Sequence, residues 1–106
     1  MNTTKQADVF QAIASPLRRD ILHKLALSGD QSITTISEDF AVSRQAVTRH
    51  LSVLADAGVV QIHKQGREQI CALHADALVQ VAEWVSFYRQ FWDRKLDAIG
   101  DVLDGE

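Results

Sequence analysis

The chain has 106 residues, enough for one domain and too few for two, so we expect residues 1–106 to form a single domain. Its formal net charge of −3 excludes a uniformly basic coat for nucleic acid, although it leaves room for a local basic patch. One cysteine excludes an internal disulfide framework, and no apolar run reaches signal-peptide or membrane-spanning length. We therefore expect a cytoplasmic protein with no membrane partner.

Two helices are predicted near the start of the chain. The first has a short apolar face formed by Val9, Phe10 and Ile13. The second lies in the stretch SPLRRDILHKLALSG, where Ser15 can cap a helix, Pro16 suits its first position and Gly29 suits its end. Helical spacing predicts that the core side of this second helix holds Leu17, Ile21, Leu25 and Ala26.

Helical spacing continues through residues 33–58. One or two turns are predicted from the spacing of Ile33, Ile36 and Phe40, and Ser43 then precedes the stretch SRQAVTRHLSVLADAG. The helical angles of that stretch define an apolar side made of Val47, Leu51 and Leu54. They also define a polar side made of Gln45, Thr48, Arg49 and Ser52, with Arg44 at its edge. His50 falls toward the apolar side, where we expect it to be partly buried and hydrogen-bonded.

After Gly58 the hydrophobic period changes from helical to two, which predicts a β-hairpin in VVQIHKQGREQICAL. A two-residue turn at Gln65-Gly66 would place His63 opposite Glu68. The mostly apolar face of the hairpin would then hold Val60, Ile62, Gln69, Cys71 and Leu73. Lys64 and Arg67 would flank the tip.

A long helix without proline is predicted from Ala77 to Leu103, roughly 40 Å in length at about 1.5 Å per residue. Two apolar stripes run along it and together cover about half of its circumference, which is wider than the roughly 100° that a surface helix needs. One stripe can serve the domain's own core. We expect the other to contact a second subunit.

This order of elements predicts a mainly α fold with a small β-hairpin, a winged helix-turn-helix. The chain resembles the ArsR family of bacterial transcriptional repressors across roughly residues 6–103, in SPLRRDILHKL, in SRQAVTRHLSVLADAGVV and in QGR at the hairpin tip. The resemblance implies a helix-turn-helix at about 33–57, a wing at about 59–73 and a C-terminal dimerisation helix at about 77–103. The tail FYRQFWDRKLDAI is similar to a branch of the family without the usual metal ligands.

The resemblance implies double-stranded DNA as a partner, contacted through the polar side of the recognition helix. Arginine and glutamine at the start of a helix in the major groove provide bidentate pairings that discriminate bases. We therefore expect DNA contacts from Ser43, Arg44, Gln45, Thr48 and Arg49, with phosphate contacts from Lys64 and Arg67 of the wing. The alternative is that this side is only a solvated helix face. Arg18 and Arg19 could add phosphate contacts, but the sequence does not determine the direction in which their side chains point.

Dimerisation is expected through the first and last helices. The predicted interface residues are Val9, Phe10, Trp84, Phe87, Tyr88, Phe91, Trp92 and Ile99. A homodimer with two recognition helices about 34 Å apart would favour an inverted-repeat operator, and we expect it to act as a repressor. Two alternatives stay open: a winged-helix protein-interaction module without a DNA target, and a ligand- or metal-gated member of the family with an unknown effector.

Neither a metal site nor a catalytic site is predicted. TTISEDF, before the recognition helix, has no cysteine, and the last helix has no histidine. Asp93, Asp97, Asp101 and Asp104 form an acidic ridge, but carboxylates alone are poor ligands for soft metals. Cys71 and His63 fall on opposite faces of the hairpin. Since nucleophile motifs, phosphate-binding glycine loops and metal-hydrolase spacings are also absent from the sequence, we expect no cofactor and no enzymatic activity.

Overall fold

The computed structural model describes residues 8–103, with side chains described for residues 8–92. Within that range five α-helices and a three-stranded antiparallel sheet follow one another along the chain. The helices are α1 (Val9–Ala12), α2 (Pro16–Ser28), α3 (Ile33–Glu38), α4 (Arg44–Asp56) and α5 (Val79–Leu103). The strands are β1 (Gln31–Ser32), β2 (Val60–Gln65) and β3 (Glu68–Leu73), and a 3-10 turn at Ala75–Leu78 leads into α5. None of the helices in this range is long and apolar enough to span a membrane.

The helix ends follow the local rules from which they were predicted. Ser15 caps α2 by accepting a hydrogen bond from the Arg18 amide at 3.3 Å, and Pro16 occupies the first helical position. Gly29 ends the helix with a φ of 83°, a left-handed conformation that glycine adopts without steric cost. These predictions are confirmed. They could be made from the sequence because each depends only on a residue and its immediate neighbours.

The core lies where α2, α3 and α4 pack against the sheet. Its fully buried side chains include Ile21, Ile36, Leu51, Val59 and Cys71, each at 0% exposure. The prediction that Ala26 belongs to the core side of α2 is wrong, because Ala26 is exposed and Leu22 is buried instead. Because both α4 and β3 pack against α2, the buried side of α2 is rotated about the helix axis relative to the predicted side.

The hairpin forms with a turn one residue later than predicted. Gln65 pairs with Glu68, so the turn residues are Gly66 and Arg67, and His63 lies opposite Ile70 rather than Glu68. Gly66 has a φ of 65° and no non-glycine residue has a positive φ among those described, which corresponds to a type II′ turn with glycine first. The pairing moves by two residues, and a two-residue slip preserves which side chains share a face.

The third strand, β1, was not predicted. It pairs with β3 through Gln31 opposite Cys71 and Ser32 opposite Ile70, so β3 is the central strand of the sheet. Two residues are too short to show an alternating pattern in the sequence. Ser32 also caps α3 by accepting from the Thr35 amide at 3.0 Å, and β1 therefore joins the sheet directly to the helix-turn-helix.

Aromatic side chains form an exposed surface along α1 and the first half of α5. We call this the aromatic surface, and its members are Phe10, Trp84, Phe87, Tyr88, Phe91 and Trp92. Phe10 of α1 meets Trp84 of α5 edge to face, with ring centroids 6.0 Å apart. The structure places Val9 in the core of its own chain, at 4% exposure, which leaves it little area for a partner. The side chains of Ile99 and of the acidic ridge lie outside the described residues.

Candidate nucleic-acid interface

The start of α4 is capped and open to solvent. Ser43 accepts a hydrogen bond from the Ala46 amide at 3.0 Å, which satisfies one of the helix's free amides. The first turn contains no acidic side chain, so the positive end of the helix dipole is not neutralised locally. Val47 and Leu51, both at 0% exposure, hold the opposite side of α4 in the core. The helix is therefore fixed from one side while its first two turns face outward on the other.

Four polar side chains occupy this outward side, and all of them are exposed: Arg44, Gln45, Thr48 and Arg49. Two guanidinium groups and one amide can form bidentate hydrogen bonds with the edges of guanine and adenine in the major groove. The Thr48 hydroxyl donates to the Arg44 carbonyl at 2.9 Å, so its proton is already engaged. Its oxygen can still accept a hydrogen bond, and its methyl group can contact thymine.

His50 is held by a contact with α2, as expected for a structural histidine. It is half-buried, and its Nδ1 lies 3.3 Å from Nη1 of Arg18. A guanidinium has donors only, so Nδ1 must be the acceptor and the ring proton of neutral His50 must be on Nε2. Burial, followed by the positive charges of Arg18 and Arg49, holds the pKa of His50 below its ordinary value.

The side chain of Arg18 is held by contacts within the protein. Its Nε donates to the Ala12 carbonyl at 2.6 Å and its Nη2 donates to the Gln11 carbonyl at 3.3 Å, in addition to the contact with His50. One side chain thus joins α1, α2 and the recognition helix α4. Arg19 also turns back, donating through Nη1 to the Ile13 carbonyl at 2.8 Å.

The wing presents two cations near its tip. Lys64 lies on β2 opposite Gln69 of β3, Arg67 is the second residue of the turn, and both are exposed. Across residues 41–67 the sequence holds four cations, Arg44, Arg49, Lys64 and Arg67, against Asp56 alone, a balance of +3. The segment that contains α4 and the hairpin is therefore locally basic in a chain whose net charge is −3.

Cys71 is enclosed in the sheet and is not poised for chemistry. It is fully buried, and burial raises the pKa of its thiol to about 11, so the nucleophilic thiolate is disfavoured at neutral pH. Cys71 pairs with Ile62 and His63 with Ile70, so the cysteine and the histidine lie on opposite faces, as predicted. Among residues 8–92, no three side chains of His, Cys, Asp or Glu are close enough together to hold a metal ion.

Comparison with known proteins relates this geometry to a family. Residues 13–63 match the model of a helix-turn-helix domain. The transcriptional repressor SdpR of Bacillus subtilis is 33% identical over 78 residues, which cover 74% of this chain and 86% of SdpR. The HTH-type transcriptional regulator Rv2034 of Mycobacterium tuberculosis is 31% identical over 107 residues, covering 100% of this chain and 96% of Rv2034. An ArsR-like transcriptional regulator from Rhodococcus sp. RHA1 has a solved structure that is 34% identical, with a TM-score of 0.65, covering 89% of this chain and 88% of that one.

The chain belongs to the ArsR family of winged helix-turn-helix regulators. As a member of this family it is a DNA-binding transcriptional regulator, and the predicted mainly α fold with a small β-hairpin is confirmed. Sequence reasoning identified the exposed side of α4 through its helical angles. It missed the link between Arg18 and His50, which are 32 positions apart, because a contact that distant leaves no local pattern.

Proposed function

We propose that this ArsR-family regulator is a homodimeric repressor that recognises an inverted-repeat operator through the outward side of α4. The carrying observation is that Arg44, Gln45, Thr48 and Arg49 are all exposed at the start of a capped helix whose other side is buried. These side chains would read base edges in the major groove, and Ser43 would contact phosphate. The relative SdpR, named as a repressor, supports repression as the regulatory outcome.

The wing would supply affinity rather than specificity. Lys64 and Arg67 are exposed cations at the hairpin tip, the part of a winged helix that can approach the DNA backbone. Contacts to phosphate oxygens carry no base information directly, and their strength falls as salt concentration rises. A role as a transcriptional regulator, as in the relatives SdpR and Rv2034, favours a cytoplasmic location and no enzymatic activity.

The aromatic surface supports the proposed homodimer. Phe87 and Phe91 of α5 are 58% and 62% exposed in a single chain, and Trp84 is 54% exposed. Large contiguous apolar patches are rare on the surface of monomeric soluble proteins and mark contact sites, and aromatic side chains are enriched at the centre of protein–protein interfaces. A two-fold dimer would bury the same patch from both copies and would place two copies of α4 for successive major grooves about 34 Å apart.

The test is binding to an operator obtained by in-vitro selection from random double-stranded DNA, measured by fluorescence anisotropy. Arg44→Ala and Arg49→Ala are each expected to cost about 1–3 kcal/mol per half-site and to relax base preference at particular positions. Lys64→Gln should instead weaken binding to all sequences alike and reduce the salt dependence by about one counterion per half-site.

Arg89→Ala is the matched control for the two arginine variants, because Arg89 is an exposed arginine on α5 rather than on the reading helix or the wing. It should leave base preference unchanged. If Arg44→Ala and Arg49→Ala both retain wild-type affinity and preference, the assignment of α4 as the reader is wrong. A failure of the wild-type chain to select any sequence, with a heterologous protein bound to the aromatic surface instead, would favour a protein-interaction module.

A further inference from the structure

An apolar cleft of about 390 Å³ lies between α2 and the junction of β3 with α5, apart from α4 and from the tip of the wing. We call it the α2–α5 cleft. Leu22 of α2, Leu73 of β3 and Val81 of α5 form its walls, together with Leu78 from the 3-10 turn. Its volume lies within the range of roughly 300–1,000 Å³ that is typical of small-molecule sites, and mostly apolar walls with few polar groups are typical of such sites too.

The polar groups on the cleft's lining are cationic or neutral rather than acidic. They are Arg19 and His23, which are four positions apart on α2 and therefore lie on the same side of the helix. No carboxylate belongs to the lining within the described part of the chain. A ligand that fits this chemistry has an apolar body for the walls and a negative charge for the edge where Arg19 lies.

The guanidinium of Arg19 is held at the edge of the cleft. Its Nη1 donates to the carbonyl of Ile13, which also lines the cleft, at 2.8 Å, and this contact uses one of its five N–H donors. The remaining donors can form the paired hydrogen bonds with which arginine recognises a carboxylate. An arginine that is already held loses less conformational entropy when the ligand binds.

We propose that the α2–α5 cleft binds a small amphipathic carboxylate, with its carboxylate on Arg19 and its apolar body against Leu22, Leu73 and Val81. The ligand would contact α2, which is joined to the reading helix through Arg18 and His50, and α5, which carries most of the aromatic surface. Its occupancy would therefore change operator affinity, since a ligand that prefers one arrangement of two elements shifts the population of that arrangement. This regulatory consequence rests on the proposed function.

Direct binding without DNA tests the site itself. Decanoate below its micelle concentration is titrated into the full-length protein by calorimetry, with ¹H–¹⁵N spectra to locate the shifted amides, and decanol serves as the uncharged probe. We expect decanoate to shift the amide resonances of α2 and of the start of α5. It should bind about tenfold more tightly than decanol, because decanol has no carboxylate to form a charge-assisted hydrogen bond with Arg19. Undetectable binding at millimolar decanoate, or equal affinity for decanol, would overturn the proposal.

Two variants separate this site from non-specific adsorption. Arg19→Gln should weaken decanoate binding about tenfold, and Arg19→Lys, which keeps the charge, should recover part of the loss. Ala26→Phe places a large side chain into the cleft from an exposed position of α2, so it should abolish binding while the thermal melt stays within a few degrees of wild type. Decanoate that binds Ala26→Phe as it binds wild type would place the ligand elsewhere and refute the cleft.

The effect on DNA is measured last, on the selected operator. Saturating decanoate should change the operator Kd of the wild-type protein at least fivefold, the lower end of typical allosteric coupling, and should leave that of Ala26→Phe unchanged. Binding of decanoate at the cleft with an unaltered operator Kd would refute the regulatory coupling. Failure to find any operator would count against the proposed function, and the calorimetric result for the cleft would stand.

Discussion

Replacing Phe91 with alanine should weaken self-association of the chain strongly. Phe91 is 62% exposed in the single chain, and an aromatic side chain has about 150–250 Å² to bury, so about 120 Å² of Phe91 remains for a partner. At about 25 cal/mol per Å² this area corresponds to about 3 kcal/mol per copy. A two-fold interface contains two copies, so the full loss is about 6 kcal/mol, or on the order of 10⁴-fold in the dimer Kd.

That figure is an upper value, because it assumes that the dimer covers all of the exposed ring. Half of it would still raise the Kd by more than about a hundredfold. The assay is sedimentation with fluorescence detection, from nanomolar to high micromolar concentration. Leu27→Ala is the matched control, since Leu27 is 88% exposed on α2 and is not part of the aromatic surface. It should leave the Kd within twofold of wild type.

Three results would refute this reasoning. The wild-type chain could sediment only as a monomer at micromolar concentration, in which case the aromatic surface serves another partner. Phe91→Ala could change the Kd by less than tenfold, which would place Phe91 outside the interface. Leu27→Ala could weaken the dimer as much as Phe91→Ala does, in which case general surface hydrophobicity rather than a defined patch drives association.

Three further predictions concern the domain's own stability and chemistry. Ser43→Ala removes the cap of α4 and should lower the free energy of unfolding in urea by about 1 kcal/mol, whereas Ser52→Ala, at an exposed position within the same helix, should lower it by less than half of that. The pKa of His50 is lowered in the folded protein, so the unfolded chain binds a proton more readily and the free energy of unfolding should fall as the pH drops through the ordinary histidine range. In a pH series of urea melts, the free energy of unfolding should depend less on pH in His50→Gln than in wild type, and His63→Gln should behave as wild type does. A His50→Gln profile that matches wild type would contradict this. The thiol of Cys71 should resist iodoacetamide in the folded protein and react once urea unfolds it, and rapid labelling under native conditions would show that the sheet opens readily.

The elements that were predicted well depend on local chemistry. Ser15, Gly29 and Ser43 act on the backbone within a few residues of themselves, so their roles are visible in the sequence. The exposed side of α4 was predictable for a similar reason. Once Val47 and Leu51 are buried, the helical period determines which side chains point outward.

The hairpin shows where local reasoning reaches its limit. A turn at Gln65-Gly66 and a turn at Gly66-Arg67 both fit a two-residue loop, but the second places glycine first, where a type II′ turn requires a positive φ. The faces were nevertheless predicted correctly, because the two pairings differ by two residues and the side-chain period of a strand is two. A slip of one residue would have moved Cys71 out of the core.

The contacts that were not predicted join distant parts of the chain. β1 exists because β3 offers a partner to Gln31 and Ser32, and two residues alone have no alternating pattern to detect. The contact between Arg18 and His50 likewise depends on how α2 crosses α4. The α2–α5 cleft depends on tertiary packing that leaves Ala26 exposed. Helical spacing alone does not reveal this packing, and it therefore assigned Ala26 to the core.

The short helix α1 connects the two functional parts of the proposed repressor. Its carbonyls accept hydrogen bonds from Arg18, which also contacts His50 of the reading helix, and its Phe10 packs on Trp84 of the aromatic surface. Two copies of α4 can enter successive major grooves only if their separation is fixed to within the groove width, so the reader must be rigidly joined to the dimer contact. In this chain the Arg18 guanidinium and the Phe10–Trp84 pair contribute to that connection, and a ligand in the proposed α2–α5 cleft would contact α2, which carries Arg18.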